Sequence, residues 1–136
     1  MQDARELARR FAAAGLIVVC GGLDGVMGAA AQGVADADGI CVGLLPGDDR
    51  RAANPALTVA IPSGMGEMRN ALLVRSADVV LAIGGSWGTL SEVALAVRSG
   101  VPTVWLHGWD TPPGPVVVNS VEEAADAVNR LLPDAR

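Results

Sequence analysis

Two glycine loops of the same spacing, each preceded by an apolar run, constrain this fold more than any other feature. The first, Gly-Gly-Leu-Asp-Gly at residues 21–25, follows Leu-Ile-Val-Val-Cys, and the second, Gly-Gly-Ser-Trp-Gly at 84–88, follows Val-Val-Leu-Ala-Ile. Each loop opens an alanine-rich stretch that predicts a helix. A buried strand, a glycine turn and a helix N-terminus present free backbone N–H groups and a positive dipole end to one spot. The two loops therefore predict a ligand that carries phosphate.

Predicted strands and helices alternate along the whole chain. Most of the strands are continuous apolar runs, which is typical of a parallel sheet covered by helices on both faces. We therefore predict a Rossmann-like, doubly wound α/β fold and a single domain over residues 1–136. The predicted strands are 16–20, 40–45, 58–61, 79–83, 103–106 and 116–118, and the predicted helices are 3–14, 25–37, 65–77, 88–99 and 121–132.

The unusual residues collect in one class of loop. Links from helix to strand are short, whereas links from strand to helix carry the Gly, Asp, Asn and Arg residues. In open α/β sheets, ligands bind outside the carboxyl ends of the strands. The sequence therefore predicts a binding site at that edge.

Charge and composition argue against several partners. The formal net charge is -5 with no basic tract, so neither nucleic acid nor an anionic membrane is expected to bind. No apolar run reaches the roughly 18 residues that span a bilayer, and no secretory signal is visible. Cys20 and Cys41 fall in predicted strands, where reduced core thiols are expected. A cytoplasmic protein is predicted.

The absence of lysine and the presence of a single histidine exclude familiar chemistry. All ten basic residues are Arg, so neither a pyridoxal phosphate Schiff base nor a P-loop lysine can form. His107 is the single histidine and falls in a loop, where a solvent-facing role is expected. We predict no metal site and no resident cofactor.

Three segments resemble the motifs of one enzyme superfamily. Residues 68–73, Met-Arg-Asn-Ala-Leu-Leu, resemble MRKxxM, and residues 84–92 resemble PGGxGTxxE. Residues 20–28 resemble the GG…GxMG segment that comes earlier in the same proteins. Together they are similar to the LONELY GUY-type superfamily of cytokinin riboside 5′-monophosphate phosphoribohydrolases, once labelled lysine decarboxylases.

The resemblance implies roles for individual residues. It implies a Rossmann-like fold and a homodimer or higher homo-oligomer, with Arg69 as a ligand-binding and catalytic arginine and Glu92 as the essential carboxylate. It also implies a phosphate cradle in the second loop. With the first loop included, the predicted ligand-binding set is Gly21, Gly22, Gly25, Gly84, Gly85, Ser86, Gly88 and Thr89.

Departures from those motifs favour binding over catalysis. Ile83, Asn70 and Leu73 replace a proline, a lysine and a methionine, and an opening strand with its own glycine turn is not found, which predicts a gap in the sheet. The chain looks closer to a branch that includes molybdenum cofactor carrier proteins, which bind a pterin phosphate without turnover. We predict binding of a nucleotide or similar phosphate ligand. The alternative is a phosphoribohydrolase that cleaves the N-glycosidic bond of nucleoside 5′-monophosphates.

Several of these residues also have structural interpretations. Thr89 and Glu92 fit the S/T-x-x-E capping box, in which Thr89 would be the N-cap of the helix. The alternative interpretation of Arg69 is an exposed residue on the surface of a helix. Trp87 would either stack on a base or pterin or cover the edge of the sheet.

Overall fold

The computed structural model describes residues 1–133, which fall into two compact units, residues 1–73 and the residues from 74 onward. The first unit contains α1 (Gln2–Ala13), β1 (Val18–Cys20), α2 (Val26–Asp36), β2 (Cys41–Leu45) and β3 (Val59–Pro62). Helix α3 (Arg69–Ser76) runs from the first unit into the second. The second unit continues with β4 (Val80–Ile83), α4 (Trp87–Arg98), β5 (Thr103–Leu106), β6 (Val116–Val118) and α5 (Val121–Leu131).

The first unit is a three-stranded parallel sheet in the order β1-β2-β3. Cys41 of β2 is fully buried and packs in an apolar cluster with Ala31 and Val34 of α2. Helices α1 and α2 approach so closely that a Cβ at Gly33 would overlap the carbonyl oxygen of Arg5. Small residues thus bring α2 close to α1, and the first glycine loop leads directly into α2.

The second unit is a three-stranded parallel sheet in the order β4-β5-β6. Its core contains Ala82 of β4, Trp105 of β5 and Val93 of α4, which are each at most 5% exposed. Ser120 caps α5, because its side chain accepts a hydrogen bond from the N–H of Glu123. In the sequence, Ser120 directly precedes a predicted helix with Glu122 and Glu123 in its first turn, a pattern that predicts this N-cap, and the structure confirms it.

Every strand pairing is parallel and helices flank the sheets, which confirms the predicted α/β fold class. The pairings form two separate sheets, and no ladder within residues 1–133 joins β1 to β4. The single domain over residues 1–136 and the absent opening strand stay predictions. Within the described part of the chain, no helix is long and apolar enough to span a bilayer.

Candidate anion-binding sites

The first glycine loop leaves the start of α2 without a side-chain cap. Gly22 and Gly25 have φ values of 80° and 72°, a region that favours glycine. Gly25 is the N-cap of α2, no side chain caps it, and the first turn contains no acidic residue. The loop therefore offers backbone N–H donors at the positive end of a helix dipole.

Arg69 begins α3 at the carboxyl end of β2. The segment before α3 is fastened there, because Ser63 Oγ donates to the Leu45 carbonyl at 2.6 Å and Gly66 N–H donates to the Pro46 carbonyl at 2.8 Å. The Arg69 side chain turns inward and is only 7% exposed. The alternative of an exposed helix residue is therefore wrong for Arg69.

The Arg69 guanidinium lies against the first glycine loop. Its Nε donates to the Leu44 carbonyl at 2.8 Å, and Nη1 donates to Asn70 Oδ1 at 3.4 Å. A Cβ placed on Gly21 would lie 2.7 Å from Arg69 Nη2 and would overlap the sulfur of Met27. A side chain at residue 21 would therefore displace the Arg69 guanidinium and the Met27 side chain from their positions beside the loop.

No carboxylate within residues 1–133 forms an ion pair with Arg69. The described ion pairs use other arginines, namely Arg5, Arg9, Arg10 and Arg51, and all four lie on the surface. Burying a cation is costly unless an anion compensates it, so a buried arginine held only by neutral acceptors is incomplete. Guanidinium is well suited to phosphate, which it holds through two parallel hydrogen bonds.

Asn54 braces the first glycine loop, a role that the sequence did not reveal. Its N–H donates to the Gly22 carbonyl at 2.9 Å, and its Oδ1 accepts from the N–H of Ala56 at 2.9 Å. Its Nδ2 donates to Asp24 Oδ1 at 3.4 Å. From the sequence, Asn54 before Pro55 indicates a turn residue or, as the lesser alternative, a ligand contact, because nothing in the sequence shows which loop lies beside it.

Two free thiols lie beneath the same loop. Cys20 Sγ and Cys41 Sγ are 3.9 Å apart, and neither is in a disulfide, as predicted. The pKa of the Cys20 thiol is lowered to about 7, chiefly by its hydrogen bond with Cys41 and further by the Gly22 backbone and the positive charge of Arg69. The hydrogen bond with Cys20 and burial raise the pKa of the Cys41 thiol.

The second glycine loop caps its own helix. Helix α4 begins at Trp87 with Ser86 as N-cap, and Ser86 Oγ accepts from the N–H of Thr89 at 3.1 Å. Ser86 Oγ also lies 2.9 Å from Thr89 Oγ1. The predicted capping box with Thr89 at the N-cap is wrong, because Ser86 is the N-cap of α4 and Thr89 lies inside the helix.

Different constraints explain why glycine occupies the individual positions of the second loop. Gly84 has a φ of 83°, and its carbonyl accepts a 2.7 Å hydrogen bond from Trp105 Nε1. A Cβ at Gly85 would overlap Trp109, so packing explains that residue. At Gly88 a Cβ would meet only Ser86 Oγ, at 3.9 Å. Neither packing nor a positive φ accounts for Gly88, which lies in the first turn of a helix where Ala is preferred.

The isolated position of Gly88 gives a direct test of the second loop. We expect Gly88→Ala to keep or slightly raise the unfolding temperature, because Ala is favoured in helices by about 1 kcal/mol over Gly. If phosphate approaches this backbone, the added methyl group weakens phosphate binding at least about ten-fold. Calorimetric titration with phosphate measures the affinity, and Gly47→Ala, where the Cβ meets nothing within 4 Å, is the control. Equal affinities in both variants would contradict a ligand at Gly88.

The predicted site residues are divided between the two units. Arg69 and the first glycine loop belong to the unit of residues 1–73. Glu92 is half-buried on α4 in the other unit, together with the second loop. His107 is exposed in the loop after β5, as predicted. The ligand-binding and catalytic roles of the predicted set stay predictions.

These features define an α/β protein whose glycine loops follow the carboxyl ends of parallel strands and open helices. Residues 1–132 match the SLOG cluster4 family. The chain belongs to that family. Assignment to the LONELY GUY-type enzymes in particular stays a prediction.

Relatives of known structure share this fold over nearly the whole chain. The molybdenum cofactor binding protein from the phototrophic bacterium Rippkaea orientalis is 32% identical with a TM-score of 0.88, covering 95% of this chain and 85% of that one. The molybdenum cofactor carrier protein from Chlamydomonas reinhardtii is 33% identical with a TM-score of 0.85, covering 94% and 84%. In sequence alone, an uncharacterized protein from Archaeoglobus fulgidus is 32% identical, covering 95% of this chain and 83% of that protein.

Proposed function

We propose that this protein binds a small molecule that carries phosphate, such as the molybdenum cofactor or a nucleotide, and does not turn it over. The observation that carries the proposal is the Arg69 guanidinium, buried beside a glycine loop without a carboxylate partner within residues 1–133. The relatives that are named as molybdenum cofactor binding and carrier proteins support it.

The first glycine loop complements Arg69 chemically. The uncapped start of α2 supplies N–H donors and a partial positive charge, while Gly21 lets the guanidinium approach the same loop. An anionic group bound there receives charge-assisted hydrogen bonds, which are about twice as strong as neutral ones. The second loop, with Gly84, Gly85, Ser86, Gly88 and Thr89, is proposed as a further anion-binding site.

The alternative function is hydrolysis of the N-glycosidic bond in nucleoside 5′-monophosphates. Its support is the motif that ends in Glu92, whose carboxylate would stabilise oxocarbenium charge on the ribose or orient a water. A second carboxylate is not assigned. This alternative requires Arg69 and Glu92 to act on one substrate, whereas the carrier function requires only binding.

Titration and base detection separate the two functions. Calorimetry compares the binding of AMP, isopentenyladenosine monophosphate and isolated molybdenum cofactor. Free base is then measured after the protein is incubated with each of the two nucleotides. Binding of any of them without base release supports the carrier. Base release that disappears in Glu92→Gln supports the hydrolase instead. If the wild-type protein binds none of the three ligands and not phosphate either, the proposed function is wrong.

We also infer that the protein is a cytoplasmic homodimer. The chain is rich in Ala and Val, which allows an apolar helix face to be buried across a two-fold axis. Light scattering tests the assembly, and a mass of 13.8 kDa alone would contradict it.

A further inference from the structure

All three tryptophans of the chain meet at the second glycine loop. Trp105 is fully buried and holds the Gly84 carbonyl through Nε1 at 2.7 Å. Trp109 lies directly against Gly85, which has no room for a Cβ. The ring centroids of Trp105 and Trp109 are 6.2 Å apart, and those of Trp109 and Trp87 are 5.2 Å apart with the planes at 83°. The series therefore runs from the core outward to Trp87.

Trp87 at the outer end is 79% exposed, although it is the first residue of α4. The core of this unit contains Ala82, Val93 and Trp105, with Leu90 and Trp109 packed against it, and Trp87 is not part of it. An indole buries a large apolar area when it is covered, so this exposure contributes little to folding. The ring lies edge-to-face against Trp109.

Polar donors lie beside this exposed ring. Ser86 Oγ takes the N–H of Thr89 and leaves the N–H groups of Trp87 and Gly88 in the first turn without a side-chain cap. The first turn of α4 has no acidic residue that would repel an anion. Residues 86–89 thus combine backbone N–H donors for an oxyanion with an exposed aromatic surface.

We propose that Trp87 stacks on a flat bicyclic heteroaromatic ring of the phosphate-bearing ligand, and so selects purine or pterin phosphates over phosphate esters without such a ring. This inference rests on the proposed function and adds the chemical class of the ligand. Stacking suits both ring types because each presents a π-face. Trp109 positions the indole of Trp87, and Gly85 makes room for Trp109.

Three probes test the proposal by calorimetry: ribose 5-phosphate, GMP and a pterin monophosphate. The wild-type protein is expected to bind at least one of the ring-bearing probes more tightly than ribose 5-phosphate. Trp87→Ala is expected to weaken that binding about ten-fold and to leave the affinity for ribose 5-phosphate unchanged. Trp87→Phe, which keeps a smaller ring, is expected to bind the ring-bearing probe with an affinity between those of the wild type and Trp87→Ala. The preferred ring-bearing probe distinguishes a purine from a pterin ligand.

Four results would overturn the proposal. If Trp87→Ala weakens all three probes equally, Trp87 only supports the loop. If it weakens none of them, the ligand does not reach Trp87, although phosphate binding by the protein still stands. If light scattering shows a smaller assembly for Trp87→Ala than for wild type, the exposed indole belongs to a contact between copies. If the wild-type protein binds no probe, the proposed function and this inference fail together.

Discussion

Replacing Arg69 with Met is expected to weaken phosphate binding at the first glycine loop at least about 30-fold without lowering the stability of the protein. Removing one member of a buried, hydrogen-bonded charge pair costs about 2–5 kcal/mol of binding free energy. In the ligand-free protein, the same substitution removes a buried guanidinium that has no carboxylate partner within residues 1–133. An apolar side chain of similar length relieves that desolvation penalty, which offsets the lost hydrogen bond to the Leu44 carbonyl.

The measurement is a thermal unfolding series in phosphate-free buffer and then with increasing phosphate, alongside calorimetry. Ligand that binds only the folded state raises the unfolding temperature of the wild type, and Arg69→Met is expected to lose this increase. Arg75→Met is the matched control, because Arg75 lies on the same helix and is exposed. Arg69→Met would contradict the site at this arginine if it still bound phosphate with wild-type affinity.

Arg69→Lys separates charge from shape at the same position. Lysine keeps the positive charge but has no planar fork, so it cannot hold the Leu44 carbonyl through Nε while presenting two parallel donors to phosphate. We expect an affinity between those of the wild type and Arg69→Met. An unchanged affinity would mean that charge alone attracts the anion.

The sequence predicted the elements that local rules control. Strands that are covered by helices on both faces are apolar along their whole length. The continuous apolar runs, alternating with helical segments, therefore predicted parallel sheets flanked by helices. Ser120 was predicted as the N-cap of α5 from its position before two glutamates, and the structure confirms it. These predictions depend on residues close together in the chain.

The contacts within the candidate sites were not predictable in the same way. The guanidinium of Arg69 reaches the carbonyl of Leu44, 25 residues away, and Asn54 braces the Gly22 carbonyl. Such pairs depend on the order and register of the strands, which one sequence does not encode locally. The cap of α4 was a different error. Two consecutive motifs competed, and Ser86 takes the N-cap position that the S/T-x-x-E pattern had assigned to Thr89.

The same distinction applies to the glycines. The loop glycines were predicted as ligand contacts, and Gly21, Gly22 and Gly25 also as requirements of the turn backbone, because sequence cannot separate the causes of a glycine. The structure assigns Gly85 to the space taken by Trp109 and Gly21 to the approach of Arg69. Gly88 has neither cause. A glycine without a conformational or packing reason is therefore the more informative candidate for direct contact with a ligand.

Trp105 is expected to determine the stability of the second unit. It is fully buried, and Trp105→Ala is expected to lower the free energy of unfolding by about 4 kcal/mol, because a large core ring is replaced by a cavity. Trp105→Phe keeps most of the apolar surface but loses the 2.7 Å hydrogen bond to the Gly84 carbonyl. We expect this variant to cost about 1–2 kcal/mol. Urea unfolding followed by circular dichroism measures both changes. Trp87→Phe is the control, because Trp87 is exposed and its replacement is expected to change the free energy of unfolding by no more than about 0.5 kcal/mol.

The Phe variant also shows whether the second glycine loop depends on this indole. With the Gly84 carbonyl released, the amides of residues 84–89 are expected to exchange hydrogen faster than in the wild type. The amides of residues 21–25 belong to the other unit, so their exchange is the internal reference. Faster exchange in both loops would mean that the substitution loosens the whole protein. Unchanged exchange at 84–89 would mean that Gly84 and its φ of 83° hold the loop without help from the core.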